Sequence, residues 1–265
     1  MPRSRFWQEL TTRDFAEGSP AEWIAVQPLA AVEQHGPHLP LVTDAAIAEG
    51  MLARALELMP SNLPTIFLPL QSLGKSDEHI SSPGTLTLSY GTLAALLSEI
   101  GDSVHRAGVK KLILVNAHGG NVPVMDIVAR ELRVRHDMLC VTTGWSRFGT
   151  PPGLFSAQEL SLGIHGGEVE TSLMLHLCPD LVRMDLAKDF PSNQSDFVKE
   201  FKHLRAHGPA QFGWKAQDLN PQGAVGNAAG ASAAKGKAVI DHQAHAFVEL
   251  CADVHAFDPA RLWSR

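Results

Sequence analysis

The chain has 265 residues, 45% of them hydrophobic, and a mean hydropathy close to zero, which suits one globular α/β domain over residues 1–265. A formal charge of −6 argues against a nucleic-acid partner, because phosphates attract basic surfaces. The apolar runs are far too short to cross a bilayer, so no membrane partner is expected. The charged and aromatic N-terminal segment lacks the apolar core of a signal peptide, and we therefore expect a cytoplasmic protein.

Two residue types stand out in the composition. Thirteen histidines accompany a single tyrosine, which is a first indication of metal or proton chemistry. The three cysteines are scattered and odd in number, so they indicate neither a disulfide framework nor a thiolate metal site. We expect them to be small buried hydrophobic residues instead.

Apolar patterns predict that strands and helices alternate along the chain. The predicted strands cover residues 23–32, 64–70, 110–117 and 138–143. The predicted helices cover residues 44–58, 85–107, 122–134, 168–177 and 233–255. This alternation predicts an α/β fold, a three-layer α/β/α arrangement with a mainly parallel central sheet. In such folds the ligand crevice lies beyond the carboxyl ends of the strands, so functional residues should follow the strands directly.

The first candidate cluster is EQHGPHLPLVTD at residues 33–44, directly after the first predicted strand. Glu33 and His35 are two positions apart, so in an extended backbone they project to the same side. The glycine and the prolines then turn the chain, which lets Asp44 return to the same place from the start of a helix. We expect these three side chains to act together.

Two further clusters have a related form. NAHGGN at residues 116–121 follows the most hydrophobic strand and contains His118. HGGEVETSLML at residues 165–175 begins with His165 and leads through two glycines into a helix start rich in carboxylates. Paired glycines let the backbone approach a ligand closely or bend sharply into a helix.

Carboxylates and imidazoles without a thiolate suit zinc, manganese or iron. One cation would be satisfied by three protein ligands and water, so the excess of acids indicates two divalent metal ions roughly 3.5–4 Å apart. Such a pair holds a hydroxide between the ions, lowers its pKa towards about 7 and polarises the carbonyl under attack.

Each of these residues also has an ordinary alternative role. Taken alone, His35 or His118 would be a hydrogen-bonded loop histidine, and Asp44 would be a helix cap. Glu168 and Glu170 would be first-turn acids that complement the helix dipole. Three further histidines fit a packing role about as well as a functional one: His38, His79 and His176. The coincidence of three glycine-flanked clusters, each after a strand or before a helix, favours function.

These three motifs resemble those of the creatininase (creatinine amidohydrolase) family. Weaker matches at residues 75–76, 83–85, 223–227 and 231–233 extend the resemblance over nearly the whole chain. The resemblance implies a layered α/β/α fold, a binuclear metal site, hydrolysis of C–N bonds and a hexameric homo-oligomer.

Carried over to this sequence, the family pattern makes Glu33 and His118 ligands of one metal and His35 a ligand of the other. Asp44 would bridge the two metals, and His165 would be the acid/base that protonates the leaving nitrogen. Three more positions are expected to bind the substrate: Ser76, Gly119 and Trp145.

Creatininase itself departs from this sequence where its substrate and metals are bound. It has a tyrosine and a metal-binding glutamate where this chain has Gly119 and Gly120, and a tryptophan where this chain has Ser161. Creatinine is therefore not the expected substrate. We expect Glu168, which stands where creatininase has a valine, to replace the lost carboxylate; Glu170 is the alternative ligand.

The expected reaction is hydrolysis of an amide, formamide or cyclic amide bond in a small molecule. The family also includes a formylaminopyrimidine deformylase and a peptidase that trims a modified peptide precursor, and both resemble this chain in the HGGN motif.

Glycines at residues 223–236 leave a nucleotide-binding module as a weaker alternative, although their spacing matches neither a dinucleotide fingerprint nor a P-loop. A non-catalytic scaffold with this fold is the third alternative. Residues 148–164 are predicted to be a mobile lid, with an ordinary surface loop or a subunit contact as the alternatives.

Overall fold

A parallel sheet organises the chain in the computed structural model, which describes residues 1–262. Residues 263–265 of the predicted domain lie outside the described residues. The strands are β1 (Ile24–Leu29), β2 (Thr65–Phe67), β3 (Lys111–Asn116), β4 (Leu139–Gly144), β5 (Asp189–Phe190) and β6 (Gly226–Asn227). The helices are α1 (Thr12–Glu17), α2 (Thr43–Leu58), α3 (Tyr90–Arg106), α4 (Val122–His136), α5 (Ala157–Leu162), α6 (Glu168–Leu177), α7 (Gln194–Glu200), α8 (Ala216–Leu219) and α9 (Ala233–Ala256).

The order of the strands places a crevice between β1 and β3. Within residues 1–262, the main sheet has the order β2-β1-β3-β4, and every neighbouring pair is parallel. From β1 the chain moves to β2 on one side, whereas from β3 it moves to β4 on the other. The sequence order therefore reverses between β1 and β3, and ligands bind at such a switch point, outside the carboxyl ends of the strands.

Helices cover both faces of the sheet. α2, α6 and α9 pack together on one face, and α3 and α4 pack together on the other. Each face has its own hydrophobic core, and every residue of β1 and β3 is buried between them. This burial explains why β3 is hydrophobic without interruption. The predicted three-layer α/β/α fold with a parallel sheet is confirmed.

Some predicted boundaries were wrong for identifiable reasons. The helix predicted from residue 85 begins at Tyr90, where Ser89 Oγ caps it by accepting the Thr92 amide hydrogen. The preceding residues are extended, and Leu86 donates its amide hydrogen to the Val32 carbonyl. β2 is shorter than predicted, and Pro69 beyond it has no amide hydrogen for a sheet.

The segment 148–164 is anchored in the structure. Phe155 is buried in the core beside α9, and Glu159 is only 4% exposed. The two carboxylate oxygens of Glu159 accept amide hydrogens from Glu168, at 2.6 Å, and from Asn227, at 2.8 Å. Gly167 packs so closely on this carboxylate that a side chain there would overlap it. Glu159 thus joins α5, α6 and β6, and these contacts favour a fixed wall over a lid.

We expect Glu159→Gln to lower the free energy of unfolding by about 2–3 kcal/mol, since one charged acceptor is replaced by a second donor facing a backbone N–H. Urea unfolding followed by circular dichroism measures this change. Glu49→Gln, an exposed substitution on α2, is the matched control and should change stability by less than about 0.5 kcal/mol. Equal stability of the two variants would contradict the joining role.

Candidate metal centre

The three sequence clusters meet at the carboxyl ends of β1 and β3. Glu33 and His35 follow β1, His118 follows β3, and Asp44 lies in the first turn of α2. Two residues near the start of α6 complete the group: His165 lies just before the helix, and Glu170 lies in its first turn. Glu33, Asp44 and His35 are at most 1% exposed, so the structure buries two carboxylates beside imidazoles.

His118 presents a lone pair to both of these carboxylates. Its Nε2–H donates to the Lys75 carbonyl at 2.7 Å, so in the neutral ring Nδ1 has no hydrogen. Nδ1 lies 3.1 Å from Glu33 Oε1 and 3.3 Å from Asp44 Oδ2. Three electron-pair donors converge here, and they can approach one another closely only around a cation or a proton.

His35 forms a second arrangement of the same kind. Its Nδ1–H donates to the Glu33 carbonyl at 3.1 Å, which leaves the Nε2 lone pair facing inward. Nε2 lies 3.2 Å from Asp44 Oδ1 and 3.8 Å from Glu170 Oε2. Asp44 therefore directs one carboxylate oxygen to His35 and the other to His118.

The unpaired atoms of the cluster fit divalent cations. Within residues 1–262, Glu33 Oε2 and Asp44 Oδ2 are buried without a hydrogen-bond partner. A buried carboxylate with unused lone pairs is unfavourable unless a positive charge or a donor compensates it. Together with Glu170, these groups supply three carboxylates and two inward-facing imidazole nitrogens, a donor set suited to zinc, manganese or iron.

The electrostatics of the cluster agree with this geometry. Burial lowers the pKa of His35, but the negative charge of Asp44, the hydrogen bond to Asp44 and the charges of Glu170 and Glu33 together outweigh burial and raise the pKa to about 9. Burial likewise opposes protonation of His118, yet the charge of Glu33 and the close approach of the Asp44 and Glu33 carboxylates raise its pKa well above the usual value. Burial raises the pKa of Asp44, but the interactions with His35 and His118 outweigh burial and hold this pKa below its ordinary range. The cluster thus attracts positive charge.

His165 differs from the other two imidazoles. Its Nε2–H donates to the Gln34 carbonyl at 2.7 Å, and its Nδ1 lies 3.7 Å from Glu33 Oε1. The ring is stacked on His35, with 4.1 Å between centroids. Burial, followed by the positive charge of His35, lowers the pKa of His165 well below its usual value. His165 is therefore a neutral ring whose Nδ1 can accept a proton or bind a cation.

The structure brings Glu170, and not Glu168, to the cluster. Glu170 Oε2 accepts the Gly166 amide hydrogen at 2.6 Å, and burial raises the pKa of Glu170 to about 7. The Glu168 carboxylate instead contacts Lys235 Nζ at the start of α9. Two residues separated by two positions on a helix point about 200° apart, so one of these glutamates must face away. The expectation for Glu168 as a ligand is corrected by this geometry.

Of the three positions expected to bind substrate, two lie inside the protein. Ser76 is fully buried behind His118, with its Oγ 3.4 Å from Nε2 of that ring. Trp145 is 2% exposed and packs on Phe247 of α9, with 4.8 Å between ring centroids, so it belongs to the core. Gly119 is exposed beside His118, and a side chain there would meet no atom within 4 Å in the described part of the chain.

Two buried neighbours of Glu33, His79 and the side chain of Gln34, have no role predicted from the sequence. His79 Nε2 lies 3.4 Å from Glu33 Oε1, and the side chain of Gln34 contacts His79 Nδ1 at 2.7 Å. His79 belongs to the segment that follows β2, so the strand-end rule applies to it as well. It lacks the paired glycines that identified the other clusters.

Comparison with known proteins gives the family of the chain. A family model described as creatininase (creatinine amidohydrolase) matches residues 8–251. The chain therefore belongs to the creatininase family, whose members hydrolyse amide bonds, and it is a hydrolase. This finding confirms the family inferred from the three motifs.

Individual relatives resemble the chain over most of its length. The mycofactocin precursor peptide peptidase of Mycobacterium ulcerans (strain Agy99) is 31% identical, over 83% of this chain and 82% of that protein. The creatinine amidohydrolase of Pseudomonas putida is 32% identical, over 72% of this chain and 78% of its own. A solved structure, "Creatininase Mn", superposes with a TM-score of 0.74 and 25% identity, over 96% of this chain and 100% of that one.

Proposed function

We propose that the chain is a binuclear metal-dependent amidohydrolase that cleaves a C–N bond of an amide, formamide or cyclic amide. The observation that carries this proposal is the arrangement of Asp44. Its two carboxylate oxygens face the lone pairs of two different imidazoles, His35 and His118, in a buried site. A carboxylate in this position would bridge two cations and offset their mutual repulsion.

The donor atoms divide into two sets. Glu33, His118 and Asp44 Oδ2 would hold one divalent cation, and His35, Glu170 and Asp44 Oδ1 would hold the other. When bound, two ions of zinc, manganese or iron polarise an amide carbonyl and lower the pKa of water towards neutrality. When all three carboxylates are ionised, they contribute three negative charges, which would offset most of the charge of two divalent cations.

His165 would move the proton. Its Nε2–H is held by the Gln34 carbonyl and its ring is stacked between His35 and His79, so the ring is fixed with Nδ1 towards the cluster. A neutral imidazole in this orientation accepts a proton at Nδ1 and returns it to the leaving nitrogen. Glu170, whose pKa is raised to about 7, lies next to His35 and is the alternative proton carrier.

Trimming of a modified peptide precursor is the second candidate activity. The open space around Gly119 supports it, because an extended chain needs an unobstructed entrance beside the cluster. The similarity to a precursor peptide peptidase supports it as well.

Two further statements stay predictions: the class of amide that the chain cleaves, and its assembly into a hexameric homo-oligomer. Within residues 1–262, no helix is both long enough and apolar enough to cross a membrane.

The glycine-rich segment 223–236 does not favour nucleotide binding. The carbonyl of Gly223 accepts a hydrogen bond from Gln34, and Gly236 packs directly on the backbone of Ser172 in α6. A side chain at Gly230 would come close to Glu168. These glycines are explained by close internal packing, so they give no independent indication of a phosphate site.

An activity screen of the metal-loaded protein tests the proposal. Mn²⁺- or Zn²⁺-loaded protein is assayed against N-formyl compounds, against cyclic amides and against peptides for cleavage near the C-terminus. We expect hydrolysis in one of these classes that stops when a chelator removes the metal and returns when metal is added. Hydrolysis that persists at the same rate after chelation and in Asp44→Asn would contradict a metal-dependent reaction.

The two neighbouring glutamates of α6 provide a matched pair of substitutions. Glu170→Gln should weaken the binding of one of the two cations, because a charged ligand is lost. The loss of affinity should exceed the roughly 10–100-fold that is typical when a hydrogen-bond partner of a metal ligand is removed. Glu168→Gln removes an equal charge from the same helix turn but should leave both affinities within about threefold. Calorimetric titration with Mn²⁺ measures both variants. Loss of a cation in Glu168→Gln, with Glu170→Gln unaffected, would reverse the assignment.

A further inference from the structure

The buried amide of Gln34 can adopt a single orientation. Its Oε1 accepts the Gly36 amide hydrogen at 2.9 Å, and its Nε2 donates to the Gly223 carbonyl at 2.8 Å. Exchanging the amide oxygen and nitrogen would place two donors together at Gly36 and two acceptors together at Gly223. Gly223 has φ +79°, and a side chain there would overlap the Gln34 amide, so this backbone is shaped to meet it.

The second N–H of the amide then determines the tautomer of His79. Gln34 Nε2 lies 3.2 Å from His165 Nε2, but that nitrogen already donates to the Gln34 carbonyl and cannot accept. The remaining acceptor is His79 Nδ1, at 2.7 Å. A neutral His79 with an accepting Nδ1 carries its hydrogen on Nε2, which faces Glu33 Oε1 at 3.4 Å.

This polarity separates His79 from the other imidazoles of the site. Hydrogen bonds to backbone carbonyls give His35, His118 and His165 an inward-facing lone pair. His79 lies within ligand distance of Glu33 and His165, yet it presents a hydrogen where a ligand needs a lone pair.

We propose that Gln34 and His79 are positioning residues, in which the fixed amide of Gln34 makes His79 a hydrogen-bond donor that holds the Glu33 carboxylate for metal binding. The inference rests on the proposed function in one respect, the role of Glu33 as a ligand. Oε1 has a second lone pair, which faces His118 Nδ1 at 3.1 Å and stays available to a cation beside that ring. The ring of His79 is stacked on His165 with 4.2 Å between centroids, which fixes the plane of the imidazole.

Nitrogen NMR of the full chain tests the tautomer without reference to activity. Two-bond ¹H–¹⁵N correlation spectra of ¹⁵N-histidine-labelled protein are recorded after chelation and again after Zn²⁺ is added. We expect His79 to be neutral with its hydrogen on Nε2 in both states, while His35 and His118 change on metal binding. A hydrogen on Nδ1, or a shift that shows zinc bound to His79, would overturn the inference.

His79→Phe tests the hydrogen bond separately from the packing, because the phenyl ring can keep the stack on His165 but cannot donate. We expect Mn²⁺ affinity at one site to fall about 10–100-fold, as for other groups that orient a metal ligand. His203→Ala, at an exposed histidine, should leave both affinities unchanged. Unchanged affinity in His79→Phe would overturn the inference. If the unsubstituted chain binds no cation, the proposed function fails, and the tautomer measurement still decides the polarity of His79.

Discussion

Asp44→Asn is expected to abolish the binding of both cations and the hydrolytic activity together. The carboxylate lies 3.2 Å from His35 Nε2 and 3.3 Å from His118 Nδ1, through different oxygens. Asparagine keeps the shape but replaces one oxygen with a donor group and removes the negative charge. Metal ions contribute several kcal/mol of transition-state stabilisation, so the rate should fall by at least about 10³-fold.

Elemental analysis after dialysis measures the metal content of this variant, and circular dichroism verifies its fold. The hydrophobic cores on both faces of the sheet do not include Asp44, so the secondary structure should survive. Asp185→Asn removes an exposed carboxylate and is the control for a change of one charge. Two tightly bound metals in Asp44→Asn would contradict its bridging position.

His165→Ala should lower kcat by about 10²–10⁴-fold, the usual contribution of a positioned proton carrier. The neutral ring points Nδ1 towards the cluster, and its other nitrogen is held by a backbone carbonyl, so the ring is fixed in place for proton transfer. We expect both metals to stay bound, because neither proposed ligand set includes His165. The effect should therefore be on turnover, with a much smaller effect on KM.

Steady-state kinetics with elemental analysis of the same samples separates the two roles available to His165. His176→Ala replaces an exposed histidine on α6 and is the matched control, with unchanged kinetics and metal content expected. Loss of one cation from His165→Ala would instead identify His165 as a ligand beside His35 and Glu170, with which it forms a group able to hold a metal ion.

The sequence predicted the fold and the place of the cluster because both depend on local patterns. Alternating strands and helices imply a parallel sheet, and the carboxyl ends of neighbouring parallel strands meet at one edge. Residues that follow two of these strands, such as Glu33 and His118, were therefore expected to lie together. In the structure, Glu33 Oε1 lies 3.1 Å from His118 Nδ1.

The choice between Glu168 and Glu170 depended on the rotation of α6 about its axis, which its sequence does not determine. That rotation follows from packing against α2 and α9, where Lys235 also pairs with Glu168. Trp145 follows β4 as a site residue could, but its ring turns into the core between the sheet and α9. The role of His79 depends on a hydrogen bond from Gln34, a residue 45 positions away, and no local pattern reveals it.

X-ray anomalous scattering from crystals of the metal-loaded protein tests the central claim most directly. Data collected at the manganese or zinc absorption edge should show two peaks on either side of the Asp44 carboxylate, roughly 3.5–4 Å apart. One peak should lie beside Glu33 and His118, and the other beside His35 and Glu170. A single peak in this cluster, or none, would contradict a binuclear centre.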